Sequence, residues 1–217
     1  MNIYLVRHGQ SEGNIDPTIY THTADHAIPL SDLGREQAKE AGQFLARHLE
    51  IRDGGSPESI RFWTSPYSRA RETANVMRAQ FGAYHTDIRE HINLCEQQFG
   101  LFDGIPEDEL AERFPEEHAH YEKCERHEGR FWARMPLGES RFDVAVRVHQ
   151  AFGTFHRDAD KHGVNDIVVV CHGVTLRAFV MQWLHLTVEW FEAEPNPVNG
   201  AIRLIENGVD LGYLWPE

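Results

Sequence analysis

Ile3-Tyr4-Leu5-Val6-Arg7-His8-Gly9 is the stretch that decides the fold of this chain. Its four apolar residues are branched or aromatic and predict a short strand that is buried on both faces of a parallel sheet. Arg7, His8 and Gly9 follow where that strand should end. Ligand sites form at the carboxyl ends of parallel strands, and a glycine allows the backbone to approach a ligand closely. We therefore expect Arg7 and His8 to face a ligand.

An arginine beside a histidine points to phosphate chemistry, because arginine offers charged donors that match phosphate oxygens and a neutral imidazole can be a nucleophile. A surface arginine next to a hydrogen-bonded histidine is the alternative. A second strong strand pattern, residues 167–171, also ends in a His-Gly pair, His172 and Gly173. If the two strands are neighbours in a parallel sheet, both imidazoles project from one edge and bracket one ligand.

The charge balance argues against two classes of partner. The 217 residues carry 21 basic and 34 acidic side chains, a formal net charge of −13. We expect neither a nucleic-acid partner nor an anionic membrane surface. No apolar run reaches membrane-spanning length and no signal-peptide pattern opens the chain, so a cytoplasmic location is expected.

Cysteine and histidine spacing gives no disulfide or metal pattern. The three cysteines are odd in number and widely spaced, which predicts reduced thiols. Two pairs of histidines lack the carboxylates and cysteines that would complete a zinc site, so no metal is expected. The residues concerned are Cys95, Cys124 and Cys171, and His22, His26, His118 and His120.

Strand and helix patterns alternate in the first part of the chain. Ser31 is a good helix cap, and apolar residues then recur at helical spacing until Asp53-Gly54-Gly55. Residues 59–64 predict a second strand, and Ser65-Pro66 begins a second helix. The polar stretch 12–29 is too irregular for a helix, and a loop of this length is expected to form one wall of a pocket.

Residues 86–140 interrupt this alternation. Three prolines and dense charge predict a helical cap inserted into one domain that spans residues 1–217, because the insertion has too few apolar residues for a core of its own. Leu110, Ala111 and Phe114 suggest a short amphipathic helix within it. Such caps usually select the substrate.

The regular pattern then resumes. Ser140 and Asp143 resemble a capping box that opens a long helix ending at His162-Gly163. A further helix is predicted over residues 174–186, and Asn207-Gly208 predicts a hairpin turn between two final strands.

Arg69 gives a second indication of phosphate. It falls in the first turn of the second predicted helix, where the helix dipole already presents positive charge. An exposed arginine is disfavoured there unless an anion lies nearby. The alternative is an arginine whose stem covers apolar surface, which is how we interpret Arg71.

The chain resembles the histidine phosphatase superfamily, the phosphoglycerate mutase-like proteins. A lone Arg-His-Gly is weak evidence, but an ordered set of six stretches is specific. They are LVRHGQSEGN at 5–14, LSDLGREQA at 30–38, TSPYSRARETA at 64–74, LCEQQFGLFDG at 94–104, GESRFDVAVRV at 138–148 and VVVCHGVTLRA at 168–178.

The resemblance implies an α/β fold, a three-layer α/β/α sandwich on a mostly parallel sheet. It also implies that His8 is the nucleophile, phosphorylated during turnover, and that Glu96 is the general acid and base. Positively charged and polar groups would surround the phosphoryl oxygens without a metal or other cofactor. These groups are Arg7, Arg69, His172, Asn14 and Gly173. Of these, His172 would work best in its protonated form.

One departure from the family pattern leaves the acid open. Many members carry an arginine directly before the acidic residue, whereas Cys95 holds that position here. The local support of Glu96 is therefore undecided, and Glu139 and Asp103 are alternative acids.

The resemblance covers enzymes with different acceptors. The segment that holds a bisphosphorylated intermediate in the mutases is poorly reproduced by Phe131-Trp132-Ala133-Arg134. Water is therefore the expected acceptor, and the prediction is a phosphomonoester hydrolase acting on a small phosphorylated substrate. The alternatives are mutase-type transfer back to substrate, or a non-catalytic module that binds a phosphorylated ligand.

Overall fold

Six strands form one mixed, mostly parallel sheet in a computed structural model that describes residues 1–53, 60–82 and 87–216. The strand order is β3-β2-β4-β1-β5-β6. The first four of these run parallel to one another, and the last two pair antiparallel. The strands are β1 (Asn2–Arg7), β2 (Ile60–Thr64), β3 (Asp87–Glu90), β4 (Asp166–Cys171), β5 (Ile202–Glu206) and β6 (Val209–Trp215).

Helices cover both faces of this sheet, as the α/β/α prediction requires. They are α1 (Glu12–Ile15), α2 (Asp32–Asp53), α3 (Ser68–Ala79), α4 (Leu110–Arg113), α5 (Pro115–Glu128), α6 (Arg141–His162), α7 (Gly173–Trp183) and α8 (Val188–Ala193). Because side chains alternate along a strand, β1 contributes to two cores. Tyr4 and Val6 pack with α2 and α3, and Ile3 and Leu5 pack with α6 and α7.

Several local predictions are confirmed. The Ser31 hydroxyl accepts a hydrogen bond from the Gly34 amide at 3.0 Å and so caps α2. Ser140 and Asp143 form the capping box of α6, and Gly163 ends that helix with a φ of +64°. Asn207 and Gly208 both have positive φ, as a two-residue hairpin turn needs.

The stretch between β1 and α2 is more regular than predicted. It contains α1 and two 3-10 turns, Pro17–Thr21 and Asp25–Ala27. Helix α3 begins at Ser68, three residues after the predicted start, which frees the Ser65 side chain for another role. Helix α7 ends at Trp183, before the predicted residue 186. Gly54, Gly55 and Ser59, which the predictions placed at the end of the first helix and the start of the second strand, lie outside the described residues.

The predicted cap holds two unpredicted elements. Its first residues belong to the sheet, because β3 pairs with β2 as a short polar edge strand that lacks the alternating apolar pattern. Helix α5 has no buried residue and therefore no apolar stripe to reveal it. Pro115 at its start, acids in its first turn and Arg126 and His127 in its last turn favour the helix instead. Among the described helices, none is both long and apolar enough to cross a membrane.

Strand pairing positions the site. Strands β1 and β4 are adjacent and parallel, with Arg7 opposite Cys171. His8 and His172, the next residue of each strand, therefore leave the sheet at the same edge.

Candidate functional site

The two His-Gly strand ends meet. The His8 amide donates to the Cys171 carbonyl at 3.0 Å, and the His8 and His172 rings lie edge to face with centroids 5.0 Å apart. Both side chains are buried. His8 Nδ1 lies 2.7 Å from the Gly9 carbonyl oxygen, which can only accept, so Nδ1 carries the proton. The lone pair of the neutral His8 ring is therefore on Nε2.

Ser65 holds the second imidazole. His172 Nε2 and Ser65 Oγ lie 2.8 Å apart, and the Tyr67 amide donates to Ser65 Oγ at 3.3 Å. His172 Nδ1 is buried and has no hydrogen-bond partner in the described part of the chain. We call Arg7, His8, Ser65 and His172 the strand-end cluster.

Burial keeps both rings neutral when no ligand is bound. Desolvation lowers the pKa of His8 well below its ordinary value, and the charges of Arg69 and Arg7 lower it further. The pKa of His172 is also well below its ordinary value, first through desolvation and then through Arg69. A protonated His172 is the expectation for the site with phosphate bound; without an anion the ring is fully buried beside cations, which favours its neutral form.

Two arginines provide positive charge beside His8. Arg7 Nη1 donates to the Pro197 carbonyl, while Arg7 Nε is buried without a partner among the described residues. Arg69 is the second residue of α3, in the first turn as predicted, and only 3% of its surface is exposed. Arg69 Nη1 donates to the Asp25 carboxylate at 2.7 Å and to the Asp25 carbonyl at 2.8 Å. Arg71, in contrast, lies on the surface and pairs with Glu90 at 2.6 Å.

Arg7, His8 and Arg69 line one cavity of about 210 Å³, whereas His172 and Ser65 are not among its lining residues. Strand ends, the start of α3 and two irregular segments all contribute to it. Its lining residues are Arg7, His8, Asn14, Tyr20, Asp25, Arg69, Glu96, Phe99 and Asp103. We call Tyr20, Asp25, Phe99 and Asp103 the loop wall, because they come from the stretch before α2 and from residues 99–103.

Glu96 lies in this cavity at the start of α7. Its carboxylate accepts hydrogen bonds from the amides of Val174 and Thr175, both at 3.3 Å, and from the Gln97 amide at 3.0 Å. The Thr175 hydroxyl adds a contact at 3.2 Å. A helix N-terminus is a favourable place for a carboxylate, so the first turn of α7 orients Glu96.

Arg147, from α6, supplies the local support that Cys95 does not. Its guanidinium donates to three backbone carbonyls around Glu96, those of Asn93, Cys95 and Glu96, at 2.8–3.0 Å. Glu139 pairs with Arg147 at 2.8 Å and accepts from the Gln98 amide at 3.0 Å. Glu139, an alternative acid in the sequence, is thus held in the framework behind Glu96 and is not one of the residues that line the cavity.

Asp103, the other alternative acid, does line the cavity. Burial, and next the charge of Asp25, raise the pKa of Asp103 to about 6, while Arg69 opposes the rise. Asp103 therefore gains a proton in mildly acidic solution.

The remaining predicted residues fall in different places. Asn14 lines the cavity, and its Oδ1 accepts from the Ser11 amide at 3.0 Å and from Asn199 at 3.2 Å. Gly173 is not a lining residue, since its Cα faces Asn196: an added Cβ would lie 2.3 Å from Asn196 Oδ1. Gly9 likewise permits packing rather than ligand approach, because a Cβ there would lie 2.3 Å from the Gly34 carbonyl oxygen.

Sequence reasoning missed several groups that shape the site. The sequence pattern indicates Ser65 only as the start of a helix, and it gives no signal that Arg147 contacts the Glu96 backbone. Tyr20 and Asp25 lie in the stretch predicted to form a pocket wall, but nothing in its composition distinguished them. Phe99 lies inside a motif of the family, and its place in the motif was the available signal.

The three cysteines, Cys95, Cys124 and Cys171, are free thiols. In residues 1–53, 60–82 and 87–216, no group of three or more histidine, cysteine or acidic side chains is arranged to hold a metal ion.

Comparison with known proteins agrees with this geometry. Residues 3–208 match the model of the histidine phosphatase superfamily (branch 1). The chain is 37% identical over 219 residues to phosphoglycerate mutase-like protein AT74 of Arabidopsis thaliana, with 97% of this chain and 66% of that protein covered. It is 25% identical over 284 residues to the broad-range acid phosphatase DET1 of Saccharomyces cerevisiae, with 94% and 84% covered. The chain thus spans slightly less than two thirds of the length of the AT74 protein.

Solved structures share the fold. A mycobacterial glucosyl-3-phosphoglycerate phosphatase superposes with a TM-score of 0.70 at 22% identity, covering 94% of this chain and 90% of that one. This likeness concerns the arrangement of the sheet and helices.

Proposed function

Since the chain belongs to the histidine phosphatase superfamily (branch 1), we propose that it is a phosphomonoester hydrolase that works through a phosphohistidine on His8. One observation carries the proposal. His8 is neutral, its Nδ1 is committed to the Gly9 carbonyl, and it lines a cavity between Arg7 and Arg69. A neutral imidazole with one free nitrogen beside two guanidiniums is what attack on a phosphoryl group requires.

The first step transfers the phosphoryl group to the protein. His8 Nε2 attacks phosphorus, the bond between phosphorus and the ester oxygen breaks, and the alcohol leaves opposite the attacking nitrogen. Glu96 delivers a proton to the departing alkoxide. The Nδ1–H bond to Gly9 stabilises the positive charge that the ring gains as the new bond forms.

The second step returns His8 to its starting state. Water attacks the phosphohistidine, Glu96 takes a proton from that water, and the bond between Nε2 and phosphorus breaks to release inorganic phosphate. Glu96 is suited to both steps because Arg147 and the start of α7 hold it at the cavity. Asp103 is the second candidate for this proton transfer, supported by its place in the same cavity and its raised pKa.

Two buried nitrogens, Arg7 Nε and His172 Nδ1, have no partners among the described residues. A phosphoryl dianion would accept a hydrogen bond from Arg7 Nε. It would also favour a proton on His172, so that Nδ1 could donate as well. Asn14 can offer its amide nitrogen, since its Oδ1 already accepts two hydrogen bonds. Arg69 would share its guanidinium between Asp25 and the substrate.

Water is the acceptor that the surroundings favour. A mutase must hold a second phosphoryl or carboxylate group. Acidic side chains outnumber basic ones across residues 91–140, and this excess of negative charge disfavours such a group. The names of the relatives are compatible with a mutase and with a hydrolase. AT74 is named for its likeness to a phosphoglycerate mutase, and DET1 is named as a broad-range acid phosphatase. Hydrolysis agrees better with the lining of this cavity.

The test is a phosphate-release assay on phenyl phosphate, sugar phosphates, nucleotides and phosphoglycerates, with and without a chelator. We expect chelator-resistant release that disappears in His8→Ala. Wild type incubated with ³²P-labelled ester and quenched in alkaline detergent should carry label on histidine, because the phosphorus–nitrogen bond survives alkali and hydrolyses in acid. Exchange between phosphoglycerates that depends on 2,3-bisphosphoglycerate, faster than phosphate release, would replace the hydrolase with a mutase. Tight binding of an ester without turnover would indicate a binding module.

A further inference from the structure

A second, larger space adjoins the cavity around His8. This adjoining cleft of about 420 Å³ shares Tyr20, Phe99 and Asp103 with the first cavity. A phosphoryl group seated at His8 would therefore direct the rest of its ester into the cleft. The remaining lining residues are Pro17, Phe102, Gly104, Ile105 and Pro106.

The cleft is apolar apart from one acid. Of the described residues that line it, Asp103 is the one with a charged side chain, and the others are prolines, aromatic residues, an isoleucine and a glycine. The Phe102 ring packs against three rings of the cap, and the centroids of these rings lie 5.8–6.3 Å from that of Phe102. They belong to Phe114, His118 and Tyr121. The cap thus supplies a fixed apolar surface.

Tight backbone packing closes one side of the cleft. Gly104 has a φ of +70°, and a Cβ there would lie 2.5 Å from Tyr20 Cβ. Only a glycine allows the two irregular segments to approach so closely. The distance between the apolar surface and His8 is therefore set by chain packing.

Charges at the junction oppose a second anion. Arg7 and Arg69 are the basic residues among those lining either space, and both lie on the His8 side. Arg69 already pairs with Asp25. An anionic group that extends from the phosphoryl group into the cleft would meet Asp103 and apolar surface with no cation to pair with, which is strongly unfavourable in a partly desolvated site.

We infer that the site selects phosphomonoesters of uncharged, largely apolar alcohols, and that Asp103 is the residue that rejects an anionic group beside the phosphoryl group. This inference rests on the proposed hydrolase activity. It names the class of substrate, and it gives Asp103 a role in specificity that is separate from the chemistry at His8.

Three esters test the inference without any variant. Glycerol 3-phosphate and 3-phosphoglycerate differ in a hydroxymethyl group against a carboxylate, so their kcat/KM ratio isolates the charge. n-Propyl phosphate against glycerol 3-phosphate isolates apolar contact, because both esters have three carbons and release an aliphatic alcohol. We expect n-propyl phosphate to be the best of the three and glycerol 3-phosphate to exceed 3-phosphoglycerate by about tenfold or more, as like charges in close contact predict.

Asp103→Asn then identifies the residue responsible, with Asp108→Asn on the exposed surface as the matched control. The glycerol 3-phosphate to 3-phosphoglycerate ratio should fall about three- to tenfold in Asp103→Asn and stay constant in Asp108→Asn. In wild type the ratio should also fall between pH 7 and pH 5, because Asp103, which faces Asp25, Arg69 and the Gly104 amide, gains a proton there. The pH comparison uses the unaltered chain, so it decides the point even if the variant folds poorly.

Different outcomes distinguish a failure of this inference from a failure of the proposed function. If 3-phosphoglycerate is hydrolysed as well as or better than glycerol 3-phosphate in a His8-dependent reaction, the inference is wrong and the hydrolase stands. A ratio that is insensitive to both Asp103→Asn and pH removes Asp103 from its role. If no ester is hydrolysed, the proposed function is wrong and the inference is wrong with it.

Discussion

Arg7 and His8 of the strand-end cluster share one cavity with the loop wall, but different interactions hold the cluster and the wall in place. His8 and His172 extend from paired strands of the sheet, and both are almost completely buried. Asp25 lies in a 3-10 turn, and Asp103 directly follows another, Gly100–Phe102. A group that attacks phosphorus must be held rigidly, whereas the wall that contacts the alcohol can differ without disturbing it. The difference suggests that the chemistry lies in the strand ends and the choice of substrate in the loops.

The largest effect should come from the strand-end cluster. We expect His8→Ala to lower kcat by about 10⁴-fold or more, because the proposed covalent intermediate forms on the His8 imidazole. Phosphate release from phenyl phosphate measures the loss, and His127→Ala, on the exposed end of α5, is the control. Activity within tenfold of wild type in His8→Ala would move the chemistry away from the strand ends.

Arg69 and Arg71 form a matched pair of variants, because they are two residues apart on α3 and differ in burial. Arg69 lies at the cavity, between the strand-end cluster and the loop wall. Arg69→Ala should lower kcat/KM by about 10² to 10³, the usual cost of removing a donor that stabilises transition-state charge. Arg71→Ala should change it less than about threefold, since its exposed pair with Glu90 contributes little. Equal losses in both variants, with unchanged thermal unfolding, would mean that Arg69 acts through the helix and not on the phosphoryl group.

The two regions also differ in how far the sequence predicts them. Strand β1 and strand β4 are short apolar runs, and each His-Gly pair follows directly, so local pattern and the rules of parallel sheets place His8 beside His172. Asp25 comes to Arg69 across 44 residues of chain, through a turn that no periodicity marks. The contacts of Arg147 with the backbone at Glu96 span about 50 residues in the same way. Such contacts depend on tertiary packing, which local residue patterns do not encode.

The proposed acid, Glu96, sharpens the comparison, because its backbone belongs to a loop while its carboxylate accepts hydrogen bonds at the start of a helix. Glu96→Gln should lower kcat/KM for phenyl phosphate about 10²-fold and for 4-nitrophenyl phosphate much less, because 4-nitrophenolate leaves without a proton. Glu139→Gln should cost about tenfold and equally for both esters, since Glu139 positions Arg147 and donates no proton. A leaving-group dependence in Asp103→Asn but not in Glu96→Gln would transfer the acid role to the loop wall.

The smallest effect concerns the stability cost of burying a neutral histidine at a strand end. The folded pKa of His8 lies well below 6.5, so below about pH 6.5 the unfolded chain binds a proton that the folded chain does not. Unfolding free energy should therefore fall as the pH falls from 6.5, by up to about 1.4 kcal/mol per pH unit from this residue. Asp103 acts in the opposite direction, because its pKa is raised to about 6 and the folded chain gains the proton first.

The difference between wild type and His8→Asn removes the contribution of Asp103, which is common to both. Urea unfolding at pH 7, 6 and 5 should give a shallower decline for His8→Asn, and the curves should diverge only below about pH 6.5. An inorganic phosphate concentration that saturates wild type should reduce the divergence, because a bound anion favours the protonated form of a nearby imidazole. Parallel curves without phosphate would mean that His8 titrates normally, and the rigid neutral nucleophile that distinguishes the strand ends from the loop wall would be lost.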